Sequence, residues 1–155
     1  MTNAAQTFPT RAGTYVLILR LDADHMLPIG RLGTFTLRAG WYTYVGSAFG
    51  GGGLAGRLKH HLMPAPRPHW HIDYLRAAAP VIAVWWIADE HPYEHEWAAA
   101  LQRSPGATIP IPRFGASDCR CPAHLFHFPA SPDPALLNLP GAITIHAEKG
   151  QAQWG

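Results

Sequence analysis

The chain has 155 residues, of which 48% are hydrophobic and 14% are charged, and its formal net charge at pH 7 is +2. These values fit one globular domain and exclude a disordered or coiled-coil protein, and so small a charge excludes an extended basic tail for nucleic acid. No apolar run approaches the ~20 residues that span a bilayer, and no signal-peptide pattern opens the chain. We therefore expect a soluble, cytoplasmic protein that does not enter a membrane.

An apolar, β-branched run predicts the first strand at residues 14–21. The residues before it, 1–11, are mostly small and polar and predict a flexible lead-in. Alternation along the strand places Tyr15 on one face with three leucines and Thr14 on the opposite face. The two residues are therefore expected in different environments.

Two shorter runs, at 33–37 and 41–45, predict the second and third strands, and the residues between them form a tight connection. Alternation in the third strand places Tyr42 and Tyr44 on one face, so the two phenols share an environment. The three strands together predict an antiparallel meander.

A helix is predicted to begin at Leu54, after four consecutive glycines. The glycines lack the Gly-Lys-Ser/Thr continuation of a P-loop, and a mobile linker explains them as well as a phosphate-binding turn does. Leucines at every fourth position form the apolar stripe of the helix, and Arg57 and His61 border that stripe. The helix therefore presents a cation and an imidazole together at the edge of its buried face.

The segment from residue 54 to residue 76 is locally basic. Four Lys or Arg residues against one Asp give an excess of +3, and four histidines are interleaved. A phosphate backbone would suit this patch, and a solvated helix face explains it equally well. Within the patch, Lys59 and His60 fall on the outer surface of the predicted helix.

The second half of the chain predicts a buried strand at 81–88, a helix at 93–103 and a last core strand at 125–128. Prolines and Ser/Asp pairs predict a loop at 129–139, and a further strand is predicted at 143–146. The chain is thus expected to mix strands and helices, with no internal repeat.

Helical phase separates two acids in the helix at 93–103. Glu94 lines up with Trp97 and Ala98 on the inward face, whereas Glu96 faces water. An inward carboxylate in the first turn calls for a partner or a metal. Its attraction to the positive helix N-terminus, worth ~0.3–1 kcal/mol, would also explain Glu94 without any function.

Two other motifs contain metal-ligand side chains. The spacing His69-x-His71-x-Asp73 would point all three side chains to one face of a strand, but would scatter them on a helix. The spacing Cys119-x-Cys121-x-x-His124 supplies at best half of a zinc site. Buried free thiols beside a strand are the favoured interpretation of the two cysteines.

Without reference to any family, the tyrosines, Arg57, His61 and Glu94 fit phosphodiester hydrolysis. That reaction needs a proton acceptor for water, a divalent metal held by a carboxylate and water, and a cation that offsets the charge on the phosphorane. Core tyrosines and a surface arginine are the alternative, and the spacing by itself favours this alternative.

Four features in order along the chain resemble the signature of the GIY-YIG nuclease superfamily. They are Gly13-Thr14-Tyr15, Tyr44-Val45-Gly46-Ser47-Ala48, the pair Arg57 and His61, and Glu94. Longer stretches resemble the Uri-type branch of that superfamily, namely residues 39–48, the glycine run with Leu54, residues 70–75 and residues 114–125. The resemblance covers residues 12–128.

The resemblance implies a fold of the α/β class, α+β in type, with a small antiparallel three-stranded core sheet, flanking helices and added strands. The nuclease-like domain would span residues 12–128, after the lead-in 1–11 and before a C-terminal extension, 129–155. One divalent ion, Mg²⁺ or Mn²⁺, would be the cofactor. Nucleic acid, with DNA favoured, would be the partner.

By position, the resemblance implies catalytic roles for five side chains: Tyr15, Tyr44, Arg57, His61 and Glu94. Tyr44 would lie nearest the attacking water, and Tyr15 would help to orient water or phosphate. Arg57 would clamp the phosphorane, while His61 would act as a base or activate a tyrosine. Glu94 would hold the metal. The residues expected to contact nucleic acid are Ser47, Lys59, His60 and His71.

The expected function is a metal-dependent endonuclease that hydrolyses phosphodiester bonds in DNA, including single-stranded or structured DNA, in repair. The alternative is a non-catalytic module on the same fold that binds nucleic acid or docks a partner. In that alternative, zinc on Cys119, Cys121 and His124 would stabilise the fold.

Overall fold

The structure is a computed structural model that describes residues 8–64, 66–116 and 120–148. Seven strands and four helices alternate irregularly along the described residues, which confirms the predicted α+β class. None of those helices is long and apolar enough to cross a membrane. In chain order the elements are β1 (Gly13–Leu21), β2 (His25–Ile29), β3 (Gly33–Leu37), β4 (Gly40–Ala48), α1 (Gly53–Leu62), α2 (His71–Ala78), β5 (Val81–Ala88), α3 (Glu94–Arg103), β6 (Leu125–Phe128), α4 (Pro134–Leu137) and β7 (Thr144–Ala147).

Five strands form one antiparallel sheet in the order β6-β4-β1-β5-β7. The central strand β1 pairs with β4 on one side and with β5 on the other. Because both edges and both faces of β1 are covered, its sequence is an almost unbroken apolar run. The pairing of Gly13 with Ala48 and with Ala88 brings the start of β1 and the ends of β4 and β5 together.

The predicted meander is wrong. Strand β3 pairs with β2 in a separate two-stranded sheet, and β4 pairs directly with β1. Only Leu37 is buried in β3, so this strand cannot serve in the interior of a core sheet. Strand β2 escaped prediction because Pro28 interrupts it, and proline is confined to the edges of sheets. The three-stranded core consists instead of β4, β1 and β5, with β6 and β7 added at its edges.

The two faces of the sheet carry separate apolar cores. Tyr15, Tyr42 and Tyr44 lie on one face and pack with α1, α2 and the β2–β3 hairpin. Val16 lies on the other face, where it packs with Trp97 of α3. The predicted alternation in β1 and β4 is therefore confirmed, and helices approach the sheet from both sides.

Residues 8–11, the described part of the predicted lead-in 1–11, pack against the sheet and α1, and residues 1–7 lie outside the described residues. Phe8 is buried against Trp86 of β5. The carbonyl of Arg11 accepts a hydrogen bond from the Leu54 N–H, at 2.9 Å. A second bond, from α1 to the Pro9 carbonyl, adds to it. This segment therefore supplies acceptors for the unpaired N–H groups at the start of α1.

The described part of the C-terminal extension joins the same sheet. The short helix α4 lies within the segment predicted as a loop, and Asp133 caps it by accepting a hydrogen bond from the Ala135 N–H. Strand β7 confirms the further strand predicted at 143–146. It pairs with β5, and Ile145 lies opposite Trp85. Residues 129–148 therefore extend the fold rather than form a separate unit.

Candidate active site

A cavity of about 550 Å³ opens at the end of the sheet where β4 stops and β1 begins. Its walls come from β1, β4, the first turns of α2 and α3, the inner side of α1 and the segment before β6. All five side chains predicted as catalytic line this one cavity: Tyr15, Tyr44, Arg57, His61 and Glu94. The fold therefore brings together groups that lie far apart in the sequence.

Two glycines make this arrangement sterically possible. Gly46 lies opposite Tyr15 in the sheet, and a Cβ atom at Gly46 would lie 2.3 Å from the Tyr15 hydroxyl oxygen. The tyrosine can therefore cross β4 only where that strand has no side chain. Gly53 has a φ of +57°, and its Cβ would lie 2.1 Å from the Thr10 carbonyl oxygen. Packing thus accounts for the last glycine of the four-glycine run.

Tyr15 and His61 form a buried hydrogen bond. The Tyr15 hydroxyl lies 2.8 Å from Nε2 of His61, and both side chains are almost fully buried. Burial, followed by the charges of Arg76 and His60, lowers the pKa of His61 to about 3. The imidazole is therefore neutral at pH 7. Its Nδ1 has no hydrogen-bond partner among the described residues.

The proton of this pair stays on the tyrosine. Burial raises the pKa of Tyr15 well above its ordinary value, although the charge and hydrogen bond of Arg57 oppose the rise. The hydroxyl therefore donates, and Nε2 of His61 accepts. In this state His61 fixes the direction of the Tyr15 hydroxyl and does not act as an acid.

Tyr44 lies beside this pair on the same face of the sheet. Its ring packs edge-on against Phe114 and faces His61, with ring centroids 6.0 Å and 6.4 Å away. Burial, followed by the nearby Tyr15 and Glu94, raises the pKa of the Tyr44 hydroxyl, and Arg57 opposes the rise. Both phenols in the cavity are therefore hydrogen-bond donors at physiological pH.

Two contacts hold the guanidinium of Arg57 at the cavity wall. One nitrogen donates a hydrogen bond to the Ser47 carbonyl oxygen, at 3.0 Å. The central carbon lies 4.7 Å from the ring centroid of Trp70, within cation–π range. Trp70 also lines the cavity. The cation is thus directed before any ligand arrives, which lowers the entropy that binding an anion would cost.

Glu94 is the carboxylate of the cavity, as helical phase predicts. One carboxylate oxygen lies 2.9 Å from Nδ1 of His124, and the Ser47 hydroxyl donates a hydrogen bond to the carboxylate. Burial alone would raise the pKa of Glu94, but the bond and charge of His124 and the bond from Ser47 bring it below its ordinary value. The group is therefore ionised at pH 7. By contrast, Glu96 is exposed and contacts His91.

Thr14 positions the start of the helix that carries Glu94. The Tyr93 N–H donates a hydrogen bond to the Thr14 hydroxyl oxygen, at 3.2 Å. Thr14 lies on the face of β1 opposite Tyr15, as predicted, and it is fully buried. The first motif therefore has two functions, since one residue enters the cavity and its neighbour holds α3 in place.

The four residues predicted to contact nucleic acid fall into two groups. Ser47 and His71 line the cavity, where Nδ1 of His71 accepts a hydrogen bond from the Gly115 N–H. Lys59 and His60 do not line it. Lys59 is exposed on the outer side of α1, and Nε2 of His60 is hydrogen-bonded to Asp73. Only the first two could contact a substrate inside the cavity.

For His69-x-His71-x-Asp73 the structure shows the helical alternative, because α2 begins at His71 and the three residues do not lie on a strand. Asp73 is buried and accepts hydrogen bonds from the backbone N–H groups of His69 and Trp70 and from the guanidinium of Arg76. Burial opposes ionisation, but these bonds bring its pKa down to about 2. Asp73 therefore caps the helix.

Three side chains of the site were not predicted in the roles that they have. Ser47 donates a hydrogen bond to Glu94, Trp70 makes the cation–π contact with Arg57, and His124 contacts the carboxylate of Glu94. The sequence assigns His124 only to the motif Cys119-x-Cys121-x-x-His124. Each contact joins segments that are distant along the chain, so no local period connects them. Their only sequence signal was the presence of polar or aromatic residues within otherwise recognisable motifs.

One protein-family model matches the chain. It is described as a domain of unknown function, DUF123, and it matches residues 14–140. No curated protein and no solved structure matches. The matched region contains all five predicted catalytic residues. It ends at Pro140, whose carbonyl oxygen accepts a hydrogen bond from the Trp97 indole, and strand β7 lies beyond the matched region.

Proposed function

The chain belongs to the DUF123 family, whose function is unknown, and we propose that it is a metal-dependent endonuclease. We propose further that the family is related to the GIY-YIG nucleases, in their Uri-type branch. The substrate is DNA, in single-stranded, duplex or branched form. The observation that supports this most is the convergence of two phenols, a fixed guanidinium and an ionised carboxylate in one cavity.

The donor set of the cavity fits a hard divalent cation. Mg²⁺ and Mn²⁺ favour oxygen ligands, and Mg²⁺ in particular keeps several waters and takes only one or two carboxylates. Glu94 supplies one ionised carboxylate at a cavity wall, with 23% of its side chain exposed. Bound there, the ion would supply Lewis-acid polarisation of the phosphodiester and activation of water. Glu94 would hold it, and His124 and Ser47 would orient the carboxylate.

Arg57 offsets the negative charge of the phosphodiester. Charge on the phosphorus oxygens grows as water attacks, and a guanidinium held in place stabilises that charge more than a mobile one does. Its contacts with Ser47 and Trp70 already fix its position. Removing such a clamp costs roughly 10²–10³ in rate.

The tyrosines act as donors. Their raised pKa values keep Tyr15 and Tyr44 protonated, so each can donate a hydrogen bond to a phosphate oxygen or to the attacking water. His61 accepts from Tyr15 and holds its hydroxyl in direction. A group with so low a pKa is a poor base at pH 7, so of the two roles that the resemblance implies for His61, base or tyrosine activator, we propose the second, in which it positions Tyr15.

The proposal is tested by incubating the protein with single-stranded, duplex and branched DNA, with Mg²⁺, with Mn²⁺ and with a chelator. Wild-type protein is expected to cut at least one of these forms only when a metal is present. Arg57→Ala is expected to cut at least roughly 100-fold more slowly. Arg103→Ala is the matched control, because Arg103 is an exposed cation at the far end of α3.

Cleavage by Arg57→Ala at the wild-type rate would contradict the assignment of this cavity. Cleavage that persists in the chelator would contradict the metal requirement. Binding of DNA without cleavage of any form would favour the alternative, a non-catalytic module that keeps the fold and the basic helix.

A further inference from the structure

Three metal-ligand side chains of different chemistry converge beside the cavity. The imidazoles of His95 and His124 and the thiol of Cys121 offer ligand atoms that all lie within 4.8 Å of one another. His95 belongs to the first turn of α3, and the other two precede β6. His124 is buried and Cys121 is half-buried, whereas His95 is exposed, so the cluster reaches from the interior to the surface.

We propose that His95, Cys121 and His124 bind one zinc ion. A thiolate with two imidazoles is a ligand set that Zn²⁺ favours, whereas Mg²⁺ favours oxygen ligands. Three protein ligands leave a fourth tetrahedral position, which water can fill. Cys119, part of the zinc motif in the sequence, lies outside the described residues, and the proposal does not use it. The structure adds His95, which no ligand-spacing rule links to the cysteines.

A second grouping of such side chains is explained without a metal. His60, His61 and Asp73 also lie close together. The carboxylate of Asp73 already accepts hydrogen bonds from two backbone N–H groups and from Arg76. Nε2 of His61 is bound by Tyr15, and Nε2 of His60 is bound by Asp73. The carboxylate and these two ring nitrogens are therefore already hydrogen-bonded, and the grouping contains no thiol, so the cluster with Cys121 is the one that fits zinc.

The zinc ion would link the start of α3 to the segment before β6. Both imidazoles line the cavity, and their ring centroids lie 6.0 Å apart. Glu94 faces Nδ1 of His124 at 2.9 Å. A carboxylate behind a metal-bound histidine is the common outer partner in zinc sites, where it fixes the tautomer of the ring. Zinc would therefore fix the wall that carries Glu94. This role is structural, and zinc binding at these three residues does not depend on whether the protein is a nuclease.

The test measures metal binding without any DNA. Protein stripped with a chelator and kept reduced is titrated with Zn²⁺ in competition with a chromophoric chelator, and separately with Co²⁺ under ultraviolet–visible absorption. Wild-type protein is expected to bind one Zn²⁺ per chain and to show a thiolate-to-cobalt charge-transfer band. Cys121→Ser is expected to lose that band. His95→Ala is expected to weaken Zn²⁺ binding at least roughly tenfold.

His91→Ala is the matched control, because His91 is an exposed histidine near the start of α3 that contacts Glu96. It is expected to bind Zn²⁺ as the wild type does. His95 is exposed, so its variant should keep the fold, which circular dichroism of the metal-free proteins checks. The proposal is overturned if wild-type protein binds no Zn²⁺. It is equally overturned if Cys121→Ser and His95→Ala both bind one ion with wild-type affinity.

Discussion

The Tyr15 hydroxyl donates a buried hydrogen bond of 2.8 Å to Nε2 of His61, and this bond joins the central strand to helix α1. The bond sets the direction of the phenol at the cavity wall, while burial lowers the pKa of His61 and keeps the imidazole neutral. A similar purpose is served on the opposite face of β1, where the Thr14 hydroxyl anchors the start of α3. Two neighbouring residues thus fix the two helices that carry Arg57 and Glu94.

Tyr15→Phe should reduce both stability and cleavage. The substitution keeps the ring but leaves Nε2 of His61 without its donor, and an unsatisfied buried acceptor costs about 1–3 kcal/mol. Urea unfolding measures the stability, and single-turnover assays measure the rate. Tyr74→Phe is the control, since Tyr74 is half-buried in α2 and lies outside the cavity. Equal stability of the Tyr15 and Tyr74 variants would show that the buried bond contributes nothing.

His61 should make the fold weaker in acid. Its pKa is about 3 in the folded protein and about 6.5 when unfolded, so between these values the unfolded state binds one proton more. The free energy of unfolding should therefore rise with pH across that window, by up to about 1.4 kcal/mol per pH unit from this group. His61→Gln should lose this part of the slope. Denaturant unfolding from pH 4 to pH 7 measures it, and an unchanged slope in the variant would rule the effect out.

Gly46→Ala should disturb the site through Tyr15. A methyl group at this position would lie 2.3 Å from the Tyr15 hydroxyl oxygen, so the phenol must move or β4 must shift. Overpacking of this kind costs roughly 1–3 kcal/mol, and cleavage should fall with it. Gly51→Ala is a matched control, because no atom lies within 4 Å of its added methyl. A lower melting temperature for Gly51→Ala than for Gly46→Ala would contradict the packing argument.

Thr14→Val should loosen the start of α3. The valine has a similar shape but cannot accept the hydrogen bond from the Tyr93 N–H, which leaves a donor unpaired and costs about 1–3 kcal/mol. We expect weaker Mn²⁺ binding as well, because Glu94 follows Tyr93 directly. Thr43→Val is the control, since the buried Thr43 hydroxyl has no partner among the described residues. Urea unfolding should show a lower free energy of unfolding for Thr14→Val and an unchanged or higher one for Thr43→Val.

Local periodicity predicts individual strands and helices and the faces on which their residues lie. The 3.6-residue period separated Glu94 from Glu96, and strand alternation placed Tyr15 and Tyr44 on one face. These assignments depend only on neighbours along the chain. These assignments therefore do not require knowledge of any contact between distant segments.

The order of strands and the outer contacts of the site could not be reached in this way. A pattern of apolar residues does not say which strand pairs with which, so the direct pairing of β1 with β4 was missed. Pro28 also hid β2. The contact of Trp70 with Arg57 and that of His124 with Glu94 depend on how α2 and the segment before β6 pack, which no local spacing encodes.

In the proposed function, the carboxylate of Glu94 serves metal-dependent DNA cleavage in this cavity. The most direct measurement compares single-turnover cleavage by Glu94→Gln and Glu96→Gln, with Mg²⁺ and with Mn²⁺, on the DNA form that the wild type cuts fastest. The two acids share one helix, and only Glu94 lines the cavity. We predict that Glu94→Gln loses at least roughly 100-fold in rate while Glu96→Gln cuts as the wild type does. Wild-type cleavage by Glu94→Gln would contradict the account.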